Sequence, residues 1–146
     1  MVELHEFKVM THDNFEMLDI TPQVEKIVAE SRVKEGVCFV ITSHTTTGIT
    51  VQENLPCLYT DIEETFDRLV PWNLPYAHNH FLLSYGSTGG NAPGHLRSLL
   101  TGNHCVFPVM DRKLVRGAAQ TIFLCEYDRL QIRRIYVQLI GEGDAQ

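Results

Sequence analysis

Seven histidines occur in a chain of 146 residues, and four of them fall where scaffolds present functional side chains. His44 lies in the polar run Ser43-His44-Thr45-Thr46, His78 and His80 in a long loop, and His95 at the start of a short helical pattern. Three neutral imidazoles from separate elements can bind a divalent metal and leave a position open for water or substrate. That makes His44, His78 and His95 a candidate metal set, with His80 as a possible fourth. Each also fits an ordinary hydrogen-bonding role, as do His5, His12 and His104, around which nothing polar clusters. Gln52-Glu53-Asn54 supplies a carboxylate and an amide that could orient an imidazole or a metal-bound water, or simply cap the next helix. Glu126 closes the apolar run Thr121-Ile-Phe-Leu-Cys125 and is either solvated or paired inward. Arg129, Arg133 and Arg134 form a small basic group that suits phosphate or a solvated strand face. No P-loop, dinucleotide-binding glycine pattern, Gly-x-Ser-x-Gly elbow or His-Glu-x-x-His motif is present.

The elements that must position these groups follow from hydrophobic spacing. Residues 3–10 and 17–20 read as strands. Thr21-Pro22 opens a helix, with Thr as its cap, Val24, Ile27 and Val28 as its stripe and Gly36 as its end. Val37–Ile41 is a dense apolar strand, expected to be buried on both faces. Thr47, Ile49 and Val51 alternate with Gly48, Thr50 and Gln52 as a half-buried strand does. After Pro56, Leu58, Ile62, Phe66 and Leu69 mark one helical face. The stretch 71–90 is a long loop, with Gly86-Ser-Thr-Gly-Gly90 as a turn-rich segment. Leu96, Leu99 and Leu100 mark a short helix closed by Gly102. Strands are expected at about 104–109, 113–116, 120–126 and 133–140. The order predicts a sheet-rich α+β fold with two to three helices, in one domain spanning 1–146.

Composition narrows the function. Twelve basic and 18 acidic residues give a net charge of -6, which repels a phosphate backbone and disfavours nucleic acid. Residues 69–96 carry no Asp, Glu, Lys or Arg, but three prolines and four glycines break any membrane helix. The amino terminus has neither the basic end nor the apolar centre of a signal peptide. Cys38, Cys57, Cys105 and Cys125 form no Cys-x-x-Cys pair, so a zinc ribbon is not expected. The expectation is a cytoplasmic protein without nucleic-acid or membrane partners.

Several blocks taken in order resemble the YjbQ family. Thr42-Ser43-His44-Thr45-Thr46 with Gln52-Glu53-Asn54 is similar to its His-Thr-(Thr/Ser)…Asn-Glu-Asn pattern. Leu69-Val70-Pro71 and Tyr76-Ala77-His78 resemble Val-Pro…Tyr-x-His. His95-Leu96-Arg97 with Leu99-Leu100-Thr101-Gly102 resembles the His-(Ile/Leu)-(Lys/Arg)…Leu-Gly block, and Gln120–Glu126 the Gln-x-Ile-x-Leu-x-Glu strand. The resemblance implies the small YjbQ-like α+β domain, a homotrimer, and a secondary thiamine-phosphate synthase activity on small phosphorylated substrates. It implies a site lined by His44, Glu53, Asn54, His78 and His95, and a divalent ion, zinc or magnesium, at the histidines. Glu53 or Glu126 would then act on water or a proton, Asn54 would orient, and Arg97, Gln120 and Arg133 would contact substrate. A non-catalytic binding protein and a metal-dependent hydrolase are the rival readings. The chain departs from the pattern where Gly117-Ala118-Ala119-Gln120 replaces Gly-Thr-Trp-Gln, where Tyr127-Asp128-Arg129-Leu130 replaces Asp-Gly-Pro-Arg, and where Gln52 replaces the first Asn.

Overall fold

A computed structural model describes residues 1–81 and 90–145. Strands β1 (Val2–Met10), β3 (Glu35–Thr42), β5 (His104–Met110), β6 (Lys113–Leu114) and β8 (Ile132–Glu142) form a five-stranded sheet in the order β1-β8-β3-β5-β6. Strands β2 (Glu16–Asp19), β4 (Thr47–Gln52) and β7 (Thr121–Glu126) form a second sheet in the order β2-β7-β4. Every strand pair is antiparallel. The helices are α1 (Thr21–Glu30), α2 (Pro56–Leu69), α3 (Ala77–Phe81) and α4 (Ala92–Thr101). The α+β class therefore holds, and one turn of helix, α3, occupies part of the stretch expected to be loop. The segment Gly86–Gly90 lies, but for its last residue, outside the described residues.

The core forms where the two sheets and α1 meet. Ile135, Val137 and Leu139 of β8 and Cys38 and Val40 of β3 face Ile122 and Leu124 of β7, Ile49 of β4, and Val24 and Val28 of α1. All of these are buried. Burial pushes the Cys38 and Cys125 thiols up to about 12, so both behave as small inert hydrophobes.

Three local expectations are corrected. Val37, Phe39 and Ile41 are only half-buried, because β3 has one face on the core and one outside. Thr21 sits inside α1 rather than capping it: Ile20 is the cap, and the Thr21 hydroxyl accepts the Ile122 amide at 2.9 Å. Its own amide donates to Asp19 Oδ1 at 2.9 Å. Helix α1 ends at Glu30, before Gly36, which belongs to β3. A Cβ at Gly36 would lie 2.1 Å from the Ile140 carbonyl oxygen, so glycine here allows β3 and β8 to approach closely.

Candidate functional site

His44 is held by a turn whose ends are tied several times over. Thr42 and Thr47, the last residue of β3 and the first of β4, share a hydroxyl–hydroxyl bond of 2.7 Å. The Ser43 amide donates to the Arg134 carbonyl at 3.3 Å, and the Arg134 amide donates to His44 Nε2 at 2.9 Å. The Tyr127 amide donates to the Thr46 carbonyl at 3.1 Å. Below the turn lies Glu126, fully buried. It accepts from Arg133 Nε at 2.8 Å and Nη2 at 2.6 Å, from the Thr11 hydroxyl, and from the amides of Tyr127 and Asp128 at 3.0 and 3.2 Å. Arg133 Nη2 also reaches Thr46 Oγ1 at 2.9 Å. A buried carboxylate with this many donors is held in one place. Burial, and then the charges of Arg133 and Arg134, hold the His44 pKa below its ordinary value, with Glu126 opposing.

His95 comes from the first turns of α4. That helix sits tightly on the end of β7, where a Cβ on Gly94 would meet the Tyr127 carbonyl oxygen at 2.8 Å. His78, on α3, lies edge-on to His95 with ring centroids 4.9 Å apart. His44 and His95 line one open cavity of about 700 Å³, together with Thr42, Ser43, Thr45 and Ser98. His95 and His78 line a second of about 330 Å³, walled by Tyr76, Ala77, Ala92 and Leu96. The His78 Nδ1 atom is buried and has no hydrogen-bond partner among the described residues. Among the described residues no three His, Cys, Asp or Glu side chains are already grouped to hold a metal ion.

The family model described as UPF0047 protein YjbQ-like matches residues 5–142. The chain belongs to the YjbQ (UPF0047) family. A UPF0047 protein of Methanocaldococcus jannaschii is 33% identical over 140 residues, covering 95% of each chain. One from Archaeoglobus fulgidus is 37% identical over 135 residues, covering 92% of this chain and 99% of its own. A crystal structure of a YjbQ-like protein of unknown function from Sulfolobus solfataricus superposes with a TM-score of 0.89 at 36% identity, over 97% of this chain and 99% of the other.

The other YjbQ-like positions fall elsewhere in the fold. Strand β4 pairs with β7 so that Thr47 faces Glu126 and Gln52 faces Thr121. Five residues of strand, about 17 Å, therefore separate the His44 turn from the end of β4 that leads into Glu53 and Asn54. Both are exposed. Gln120 is exposed at that same end, where its side-chain oxygen accepts the Gly117 amide at 2.7 Å and closes a turn. Within one chain these three are not brought to the histidines. Arg97 and Arg133 are both buried and both engaged internally. Arg97 Nη2 donates to Asp67 Oδ1 at 2.9 Å and to the Val70 carbonyl at 3.0 Å, and its guanidinium lies 5.1 Å from the Trp72 ring centre. It thereby fastens the end of α2 to α4. His5, His12 and His104 contact Glu3, Glu16 and Asn103 beside them. Spacing did not single out Thr11 or Thr46, whose hydroxyls complete the Glu126–Arg133 network. Nothing in the sequence marks Thr11, a lone threonine after a strand.

Proposed function

We propose that this chain is a YjbQ-type enzyme acting on a small phosphorylated substrate, with weak thiamine-phosphate synthase activity as its measurable reaction. The observation that carries the reading is the position of His95. His95 lines both cavities, one with His44 and the other with His78, and so connects histidines that come from three separate elements. The reaction joins a hydroxymethylpyrimidine diphosphate to a thiazole phosphate, forming a carbon–nitrogen bond as pyrophosphate leaves. Donors aimed at the departing oxyanion are what such a step needs.

Of the two divalent ions, zinc would suit the imidazoles of His78 and His95, whereas magnesium, which takes oxygen ligands, would be held chiefly by the substrate's phosphates beside them. Two imidazoles that share a tetrahedral ion have ring centres about 5 Å apart, and the buried Nδ1 of His78, which has no hydrogen-bond partner among the described residues, would serve as a ligand atom. Such an ion supplies charge neutralisation at phosphate oxygens. The protein itself contributes a fixed His44 turn and the half-buried His95.

A second reading, a non-catalytic small-ligand or metal-binding protein, is favoured by the state of the acid–base candidates: Glu126 is saturated by donors, and Glu53 lies at the other end of β4. Purified protein assayed with both thiamine precursors and Mg²⁺ or Zn²⁺ decides between the two. Product that disappears in His95→Ala supports the enzyme; ligand or metal binding without product supports the second.

The proposal includes a homotrimer. On the outer face of the large sheet, register places Val2, Ile140, Val37 and Pro108 in one row and Leu4, Gln138, Phe39 and Val106 in the next. Leu4 is 62%, Val106 46% and Ile140 43% exposed in the isolated chain. A largely apolar sheet face of this kind, interrupted by Gln138, marks an association surface. A cytoplasmic setting accords with four free cysteines.

A further inference from the structure

The position of one proton on His44 follows from its partner. Nε2 lies 2.9 Å from the Arg134 backbone nitrogen, a group that only donates. Nε2 must therefore offer its lone pair, and the neutral ring carries its proton on Nδ1. No hydrogen bond among the described residues reaches Nδ1, and the half-buried His44 lines the larger cavity. Neither nitrogen then presents a lone pair to that space, since one is occupied and the other is protonated.

We propose that His44 is a ligand-binding residue acting as a neutral, pre-oriented N–H donor to a phosphate or pyrophosphate oxygen, and not a metal ligand or a base. The proposal rests on the reading above that the chain acts on a small phosphorylated substrate, and it assigns the substrate's phosphates to this cavity. The turn has the rigidity such a donor requires. It is tied to β4 through the Thr42–Thr47 hydroxyls, to β8 through Ser43 and Arg134, and to the buried Glu126 through Arg133 and Thr46. Thr45, on the same cavity wall, has a backbone amide that donates to no acceptor among the described residues. Burial and the Arg133 and Arg134 charges oppose protonation, which keeps the ring neutral at pH 7 and preserves the acceptor at Nε2. Of the histidine set, His78 and His95 then remain for a metal.

Nitrogen-15 imidazole spectra of the full chain at pH 7, with inorganic pyrophosphate as the probe, test this. The His44 resonance is identified by its absence in His44→Gln. The expected result is a neutral ring protonated at Nδ1, whose resonance moves on adding pyrophosphate. Asparagine places an N–H near the position of Nδ1, so His44→Asn should keep pyrophosphate binding. His44→Ala and His44→Gln should each weaken it about tenfold, as expected for one lost charge-assisted bond. A proton on Nε2, Zn²⁺ binding directly to the His44 ring, or pyrophosphate affinity unchanged in His44→Ala overturns the proposal. If the spectra agree but no thiamine phosphate is made, the reaction class fails and the donor stands. If active enzyme shows the opposite tautomer, the donor alone fails.

Discussion

His78 and His95 meet edge-on across the gap between α3 and α4, ring centroids 4.9 Å apart and planes inclined at 62°. They share the wall of one cavity, and the buried Nδ1 of His78 has no hydrogen-bond partner among the described residues. If the pair holds a divalent ion, each imidazole is a direct ligand and neither alone suffices. Calorimetric titration with Zn²⁺ is expected to show affinity falling at least about tenfold in His78→Ala and in His95→Ala. The double variant should lose little more, while His104→Ala leaves binding unchanged, because His104 lies exposed on β5 with its ring on Asn103. Equal Zn²⁺ affinity in the wild type and His95→Ala would remove the metal from the site.

Glu126 and Arg133 are paired out of solvent, at 2.6 and 2.8 Å. Breaking such a pair leaves a buried charge without its counterion, at a cost of about 3–5 kcal/mol. Glu126→Gln and Arg133→Met should each lower urea stability by that order. The double variant should recover part of the loss, since no lone charge remains. Strict additivity of the two losses would show that the ion pair does not act as a unit. The same single variants should loosen the His44 turn, because Arg133 holds Thr46.

Strand and helix positions were legible because apolar alternation and helical spacing depend on local burial. Ile135, Val137 and Leu139 are inward on β8 as their alternation requires. Gly102 ends α4 with φ +83, a conformation glycine readily adopts. The outward half of Val37–Ile41 was not legible, because an apolar face turned to the outside of one chain has the same pattern as a buried one. The site was legible as a set of histidines. Which groups share a cavity was not, since that depends on β4–β7 register: a strand places Gln52 and Thr47 at opposite ends, however close Gln52-Glu53-Asn54 lies to His44 in sequence. Nor does sequence show that Glu126 and Arg133 face each other, seven residues apart across the chain reversal between β7 and β8.

His44 carries a pH signature of definite sign. Burial, then Arg133 and Arg134, lower its pKa in the folded chain below that of the unfolded chain. The folded state therefore binds fewer protons than the unfolded state between the two values, and stability rises with pH there. The contribution of the neutral ring is complete above the unfolded value and is lost as pH falls through the lowered folded value. Urea midpoints measured from pH 7.5 down to 4.5 should show a decline in this window that is smaller in His44→Asn, which has no ring to protonate. An identical profile in the two proteins would mean that His44 titrates alike folded and unfolded.

The outer face of the large sheet is the remaining test of assembly. Leu4 and Val106 lie in one row across β1, β8, β3 and β5, with the half-buried Gln138 and Phe39 between them. A carboxylate placed in that row cannot be covered by an apolar partner surface without losing its water. In a monomer the same carboxylate would stand in solvent and change stability by less than about 0.5 kcal/mol. Val106→Glu should therefore convert a trimer to monomer in sedimentation equilibrium while leaving the far-ultraviolet circular dichroism unchanged. Lys8→Glu, at an exposed polar position of β1, should leave the trimer intact. If Val106→Glu sediments as the wild type does, the copies meet through some other surface, and the exposed leucines of α4, Leu96, Leu99 and Leu100, become the next face to charge.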